Sequence, residues 1–163
     1  MSIVCLDVDY RGDQAHTGWV AFQDWSDASP LAEGTVVSVG AADYQPGEFY
    51  RRELPPLLKT LSTFSTLPEG IVVDGFCWLG QDRPGLGAHL YEALGRQAWV
   101  VGVAKRPFQG NPGVPVERGS TRPLWVTACG LSPEKAAGWV QSMHGPYRLP
   151  TLLKRVDQLS RVI

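Results

Sequence analysis

Two short apolar runs, each closed by a charged residue, constrain this chain more than any other feature. They are GIVVD at 70–74 and AWVVGVA at 98–104, the second followed by Lys105. A continuous apolar run of this length reads as a strand covered on both faces, the hallmark of a buried parallel sheet. Between them lie a glycine-rich loop at 75–85 and a helical stretch from Leu86 to Leu94, closed by Gly95. Strand, helix, strand is a βαβ unit, so both strands point the same way. Sites in open α/β sheets form at the carboxyl ends of such strands. Asp74 and Lys105 are therefore expected on one rim.

Upstream, Ile3 to Tyr10 alternates: Ile3, Cys5, Asp7 and Asp9 fall on one side, Val4, Leu6, Val8 and Tyr10 on the other. That is the period of a strand. RGDQ at 11–14 reads as a turn, 16–24 as a second strand and 34–41 as a third, an antiparallel meander. From Gly47 to Thr63 the spacing of Phe49, Tyr50, Glu53, Leu54, Leu57, Leu58 and Leu61 becomes helical, but Pro55 and Pro56 interrupt it. Proline is tolerated in a first helical turn and not in an interior. The spacing thus predicts a short turn of helix at 47–53, a bend, and a second helix opening at Pro55. A Pro/Gly-rich loop covers 107–123, and a short strand is expected at 124–128. Pro133 to Met143 reads as a helix with Ser132 as N-cap. Leu152, Leu153, Val156, Leu159 and Ile163 mark an amphipathic helix from Thr151 onward. The expected architecture is one α/β domain over 1–163, with a mixed sheet of three antiparallel strands and then parallel strands, flanked by helices.

Composition narrows the function classes. No apolar run reaches the roughly 18 residues of a membrane span. No basic start followed by an apolar stretch suggests a signal peptide, so a cytoplasmic location is the default expectation. Cys5, Cys77 and Cys129, like His16, His89 and His144, are too scattered for a disulfide framework or a zinc ribbon. The net charge of −1 argues against a broadly basic face. Arg51, Arg52, Arg83, Lys105, Arg106, Arg118, Arg122 and Arg148 nonetheless fall in loops and at element ends, where a local basic groove could form.

The acids carry the chemistry. Asp7 stands in mid-strand between Leu6 and Val8, where a carboxylate is costly unless paired or bound to a metal. Glu53 lies near a helix start, and Asp74 ends a buried strand. If the three converge, hard oxygen ligands of this kind suit Mg²⁺ or Mn²⁺. A carboxylate cluster with such ions hydrolyses phosphodiesters, and a lysine beside it neutralises phosphate oxygen or orients water. Taken singly, the bland readings stand: Asp74 as a turn residue, Asp9 and Asp13 as hairpin polar positions, Glu53 as a capping or solvated residue, Lys105 as a solvated strand end.

Seven segments, in order along the chain, resemble the endonuclease V family. They are LDVDY (6–10), YQPGEFYRRELP (44–55), IVVDG (71–75), PGLGAHL (84–90), VVGVAK (100–105), PLWVT (123–127) and RLPTLLKRVD (148–157). The resemblance implies a ribonuclease H-like fold and Mg²⁺ as cofactor, with Mn²⁺ able to substitute. It implies cleavage of nucleic acid, DNA or RNA, at the second phosphodiester 3′ to deoxyinosine or inosine, with a DNA-repair role; a monomer with no membrane or organic-cofactor partner is the accompanying expectation. By the same resemblance Asp7, Glu53 and Asp74 are metal ligands and catalytic residues. Asp157 matches a C-terminal ligand position, and Lys105 the lysine of the GVAK segment. Tyr44 and Pro46 match the wedge that fills the gap left by an extruded base. Gly47, Phe49, Gly75, Leu86 and Gly87 match the walls of the flipped-base pocket. Extruding a base costs a few kcal/mol, part of which an inserted side chain recovers.

Three departures from the family pattern are visible. The wedge reads Asp43-Tyr44-Gln45-Pro46 rather than PYIP, Gly80 stands where members commonly carry a histidine, and the helical segment that usually precedes the first strand is expected to be missing. They leave two alternatives open: a catalytically weak nucleic-acid-binding relative, and a ribonuclease H-like nuclease of different specificity.

Overall fold

The computed structural model describes residues 2–40, 49–80, 82–110 and 113–162, with the backbone alone at Phe49. The elements are β1 (Ile3–Arg11), β2 (Gln14–Phe22), β3 (Ala32–Val39), α1 (Phe49–Ser62), β4 (Gly70–Asp74), α2 (Leu86–Ala93), β5 (Trp99–Ala104), β6 (Val114–Val116), β7 (Leu124–Cys129), α3 (Pro133–Ser142) and α4 (Thr151–Ser160). The seven strands form one sheet in the order β3-β2-β1-β4-β5-β7-β6. β1, β2 and β3 make the antiparallel meander, and β4 and β5 run parallel to β1. The parallel part ends there. β7 pairs antiparallel to β5, and β6 antiparallel to β7. Mixed pairing around a parallel centre, with helices on both faces, is the ribonuclease H-like arrangement.

The sheet separates two cores. Ile3, Cys5, Val72, Val101 and Val103 face α3 and α4. Val4, Leu6, Ile71, Val73 and Val100 face α1 and α2. This is the period-two alternation of β1, β4 and β5 carried into packing.

Helix α1 corrects the sequence expectation of a break. It runs unbroken through Pro55 and Pro56. A proline at 56 supplies no N–H to the carbonyl of Arg52, four residues before it. That carbonyl instead accepts a hydrogen bond from the Tyr10 hydroxyl on β1, at 2.9 Å. A tertiary bond thus meets the need the helix cannot, while Leu57 and Leu61 bury the helix against the sheet. Strand β6 was expected to be loop. It is only VPV, and a proline sits at its centre, which only an edge strand tolerates.

Two close approaches position the rim that matters. Gly18 on β2 is the cross-strand partner of Asp7. A Cβ at Gly18 would lie 2.7 Å from both Ser160 N and Val156 O, so its absence lets the α4 backbone touch the sheet beside Asp7. A Cβ at Gly102 would lie 2.6 Å from Gly75 O and 2.9 Å from Cys77 N, so the loop after β4 folds down onto β5. Gly75 N–H donating to Val103 O (3.0 Å) and Cys77 N–H donating to Thr127 Oγ1 (2.8 Å) hold it there.

Candidate functional site

The carboxyl ends of β4 and β5 meet the middle of β1 in a rim that carries Asp7, Asp74 and Lys105. In the parallel register Leu6 pairs with Val73, so Asp7 and Asp74 are adjacent one step further along. Both line a cavity of about 30 Å³ with Lys105 and Asp157. That is room for a water or a single ion. Both also line a second cavity of about 200 Å³, which Glu53 enters from α1. Asp7 and Asp74 thus stand at the centre, with Asp157 on the α4 side and Glu53 on the α1 side.

Their protons report the crowding. Burial pushes the Asp7 carboxyl up to about 8; the charges of Asp74 and Asp157 and a side-chain hydrogen bond with Asp157 add to it, and Lys105 pulls back. Burial pushes Glu53 up to about 7, with Asp74 adding to it, while the Tyr10 hydroxyl and Arg52 oppose. Asp74 is raised too, by desolvation first, with Lys105 opposing and Asp157 adding. These are carboxylates gathered without enough positive charge to offset them.

As the side chains lie, no group of three or more His, Cys, Asp or Glu among the described residues is spaced to hold one metal ion. Asp7 accepts from the Val8 N–H at 3.0 Å, Asp157 pairs with Arg161 at 3.3 Å, and Glu53 accepts from the Tyr10 hydroxyl at 2.8 Å, so the acids engage protein donors. The donor set itself fits a hard divalent cation: oxygen atoms only, no thiolate or imidazole, around a space of ionic size.

A larger cleft of about 440 Å³ adjoins the rim, sharing Asp74 and Lys105 with it. Its walls include Gly75, Phe76, Leu86, Phe108 and Tyr50, with Arg106 at its edge. Gly75 has φ +116°, a conformation that favours glycine, and so makes the turn straight after Asp74. Phe76 and Phe108 form a tilted pair 6.3 Å apart, and Tyr50 stacks on His89 at 3.6 Å. Of the sequence candidates for a base pocket, Gly75 and Leu86 therefore line a cleft. Gly87 does not: it packs against Cys77. Tyr44, Pro46, Gly47 and the Phe49 side chain lie outside the described residues.

Several cations that could have served a basic groove are committed elsewhere. Arg118, only 6% exposed, donates to the carbonyls of Val140, Gln141, Met143 and Gly145. Arg148 donates to the carbonyls of Arg122, Pro123 and Lys105, tying loops behind the rim. Arg52 lies over the Tyr10 ring at 3.7 Å. Among the acids outside the rim, Asp9 pairs with Arg11 at 3.3 Å.

An α/β sheet of ribonuclease H type with one carboxylate inside its central strand β1 and another at the end of the neighbouring β4 defines the class. Within that class the endonuclease V family profile matches residues 1–130, and the chain belongs to that family. It is 30% identical over 167 residues to the endonuclease V of Rhodospirillum centenum, covering 85% of this chain and 67% of the relative. It is 29% identical over 153 residues to that of Xylella fastidiosa, covering 80% and 63%. The chain thus spans about two thirds or less of these relatives' length. The crystal structure of endonuclease V from Streptomyces avermitilis superposes with a TM-score of 0.78 at 26% identity, covering 99% of this chain and 80% of that one. Ciona intestinalis endonuclease V, in complex with a 24mer DNA containing an inosine followed by a ribo-adenosine, superposes with a TM-score of 0.81 at 18% identity, covering 98% and 84%. At that identity the likeness is one of fold.

Proposed function

We propose that this chain is a Mg²⁺- or Mn²⁺-dependent endonuclease that hydrolyses a phosphodiester near deoxyinosine or inosine, in the manner of a DNA-repair enzyme. The observation that carries the reading is the pairing of Asp7 with Asp74 across both rim cavities, directly beside the 440 Å³ cleft. Asp7 and Asp74 would hold the cation, assisted by Glu53 and Asp157. When bound, such an ion supplies Lewis-acid charge and makes hydroxide available near neutral pH. The chain's own residues do the rest. Lys105, shared by the rim and the cleft, neutralises phosphate oxygen. Gly75, Leu86 and the aromatic walls receive an extruded purine beside Asp74, so that the base sets which phosphate meets the acids. Membership of the family and a relative seen with inosine-containing DNA support this substrate class.

The test is cleavage of an inosine-containing strand in Mn²⁺ by the wild type and by Asp7→Ala and Asp74→Ala. The expected result is a metal-dependent product that each substitution reduces by about a hundredfold or more, of the order lost with a major charge-stabilising group. A second reading is a catalytically weak binder. It is favoured by Gly80 in the loop after Asp74, and by a cleft that has no histidine on its lining among the described residues. Binding to the inosine strand without product at any enzyme level would select it.

A further inference from the structure

The Tyr10 hydroxyl carries one proton and faces two acceptors. It lies 2.8 Å from Glu53 Oε2 and 2.9 Å from the carbonyl of Arg52. The second acceptor is open only because Pro56 cannot supply the helical N–H. The ring below is clamped by the Arg52 guanidinium, 3.7 Å from its centroid. Tyr10, Arg52, Glu53 and Pro56 therefore form one unit that joins the end of β1 to the middle of α1. Glu53 itself is only 7% exposed, and it lines the cavity it shares with Asp7 and Asp74.

We propose that Tyr10 is a positioning residue: its hydroxyl, steadied by the proline-freed carbonyl of Arg52, holds one oxygen of Glu53 so that the other faces the cation site between Asp7 and Asp74. The inference rests on the metal-dependent reading above. A carboxylate with free torsion must be ordered on binding; one already held by a charge-assisted bond need not be. Such outer partners of a ligand typically carry a 10- to 100-fold share of metal affinity. Tyr10 touches neither substrate nor ion. It acts through Glu53.

The experiment measures Mn²⁺ affinity by following the free-ion paramagnetic resonance signal during titration of the metal-free protein. Tyr10→Phe keeps the ring, and its stacking with Arg52, and removes only the hydroxyl. Pro56→Ala in the same chain returns an N–H to the Arg52 carbonyl, repairing the helix without touching Glu53. The expected result is Mn²⁺ binding weakened about 10- to 100-fold in Tyr10→Phe, and equally weakened in Tyr10→Phe/Pro56→Ala. Thermal melts in a chelator establish that both variants fold. Wild-type affinity in Tyr10→Phe would overturn the proposal. So would recovery of affinity in the double variant, because the hydroxyl would then act through the helix backbone alone. A wild type that binds no Mn²⁺ would sink the metal-dependent reading together with this one, whereas the two preceding outcomes leave that reading standing.

Discussion

Asp7 and Glu53 protonate in the folded chain near 8 and 7, chiefly because burial disfavours their charged forms. A carboxyl raised above its unfolded value, roughly 4, favours the folded state most when protonated. Stability from these two groups is therefore full below about pH 4 and is lost as pH rises through 7 to 8. The metal-free protein should melt at progressively lower temperature from pH 5 to pH 8.5. Cation binding needs the charged forms, so it must expel protons. Mn²⁺ stabilisation should accordingly grow over the same interval. Titration calorimetry at pH 7 in two buffers of different ionisation enthalpy should reveal proton release; none would contradict the raised carboxyls. Asp7→Asn should stabilise the metal-free protein at pH 8.5 by ~1 kcal/mol, the scale of relieving a part-buried, poorly compensated polar group. It should also remove the gain from Mn²⁺. The two effects have opposite sign in one set of melts, which separates a metal site from a structural acid.

At the scale of elements, what carries its own period was legible from the sequence. The alternation of β1, the apolar runs of β4 and β5, and the Ser132 cap of α3, which accepts from Lys135 N at 3.1 Å, all point to the elements observed. Asp7 and Asp74 were legible because a carboxylate inside or ending such a strand violates the pattern around it. What depends on a partner far along the chain was not. The continuity of α1 needs Tyr10, 42 residues from Arg52, and nothing local announces that bond. The three-residue β6 is too short to show any period. Gly18 looks like an ordinary strand glycine until α4, some 140 residues later, lies against it. Gly18→Ala tests that contact. The added methyl meets backbone rather than a flexible side chain, so α4 must shift. The expected loss is about 1–3 kcal/mol in denaturant unfolding. Because Asp157 rides on α4, weaker Mn²⁺ binding should accompany it. Unchanged stability would mean that α4 adapts freely and does not fix Asp157.

The whole molecule bears a net charge of −1, and its positive groups are unevenly employed. Arg118 and Arg148 spend their donors on backbone carbonyls, and Arg52 is stacked on Tyr10. Among the described residues, Lys105 and Arg106 are the cations that line the cleft. Each phosphate neutralised on duplex DNA contributes a slope of about −0.9 to the logarithm of affinity against the logarithm of salt. If the proposed nucleic-acid contact runs through Lys105 and Arg106, the dependence should be shallow, with a slope of about −2 for an inosine-containing duplex carrying a cleavage-resistant linkage. Arg106→Ala should reduce the slope by about one and weaken all sequences alike. Arg118→Ala should leave it unchanged and instead lower the melting temperature, since four carbonyls at the end of α3 lose their donor. Shallow electrostatics implies that discrimination resides in the cleft: affinity for strands without inosine should fall short mainly through the missing base contacts. A slope of −6 or steeper would require a broad basic face and would place recognition on the backbone instead.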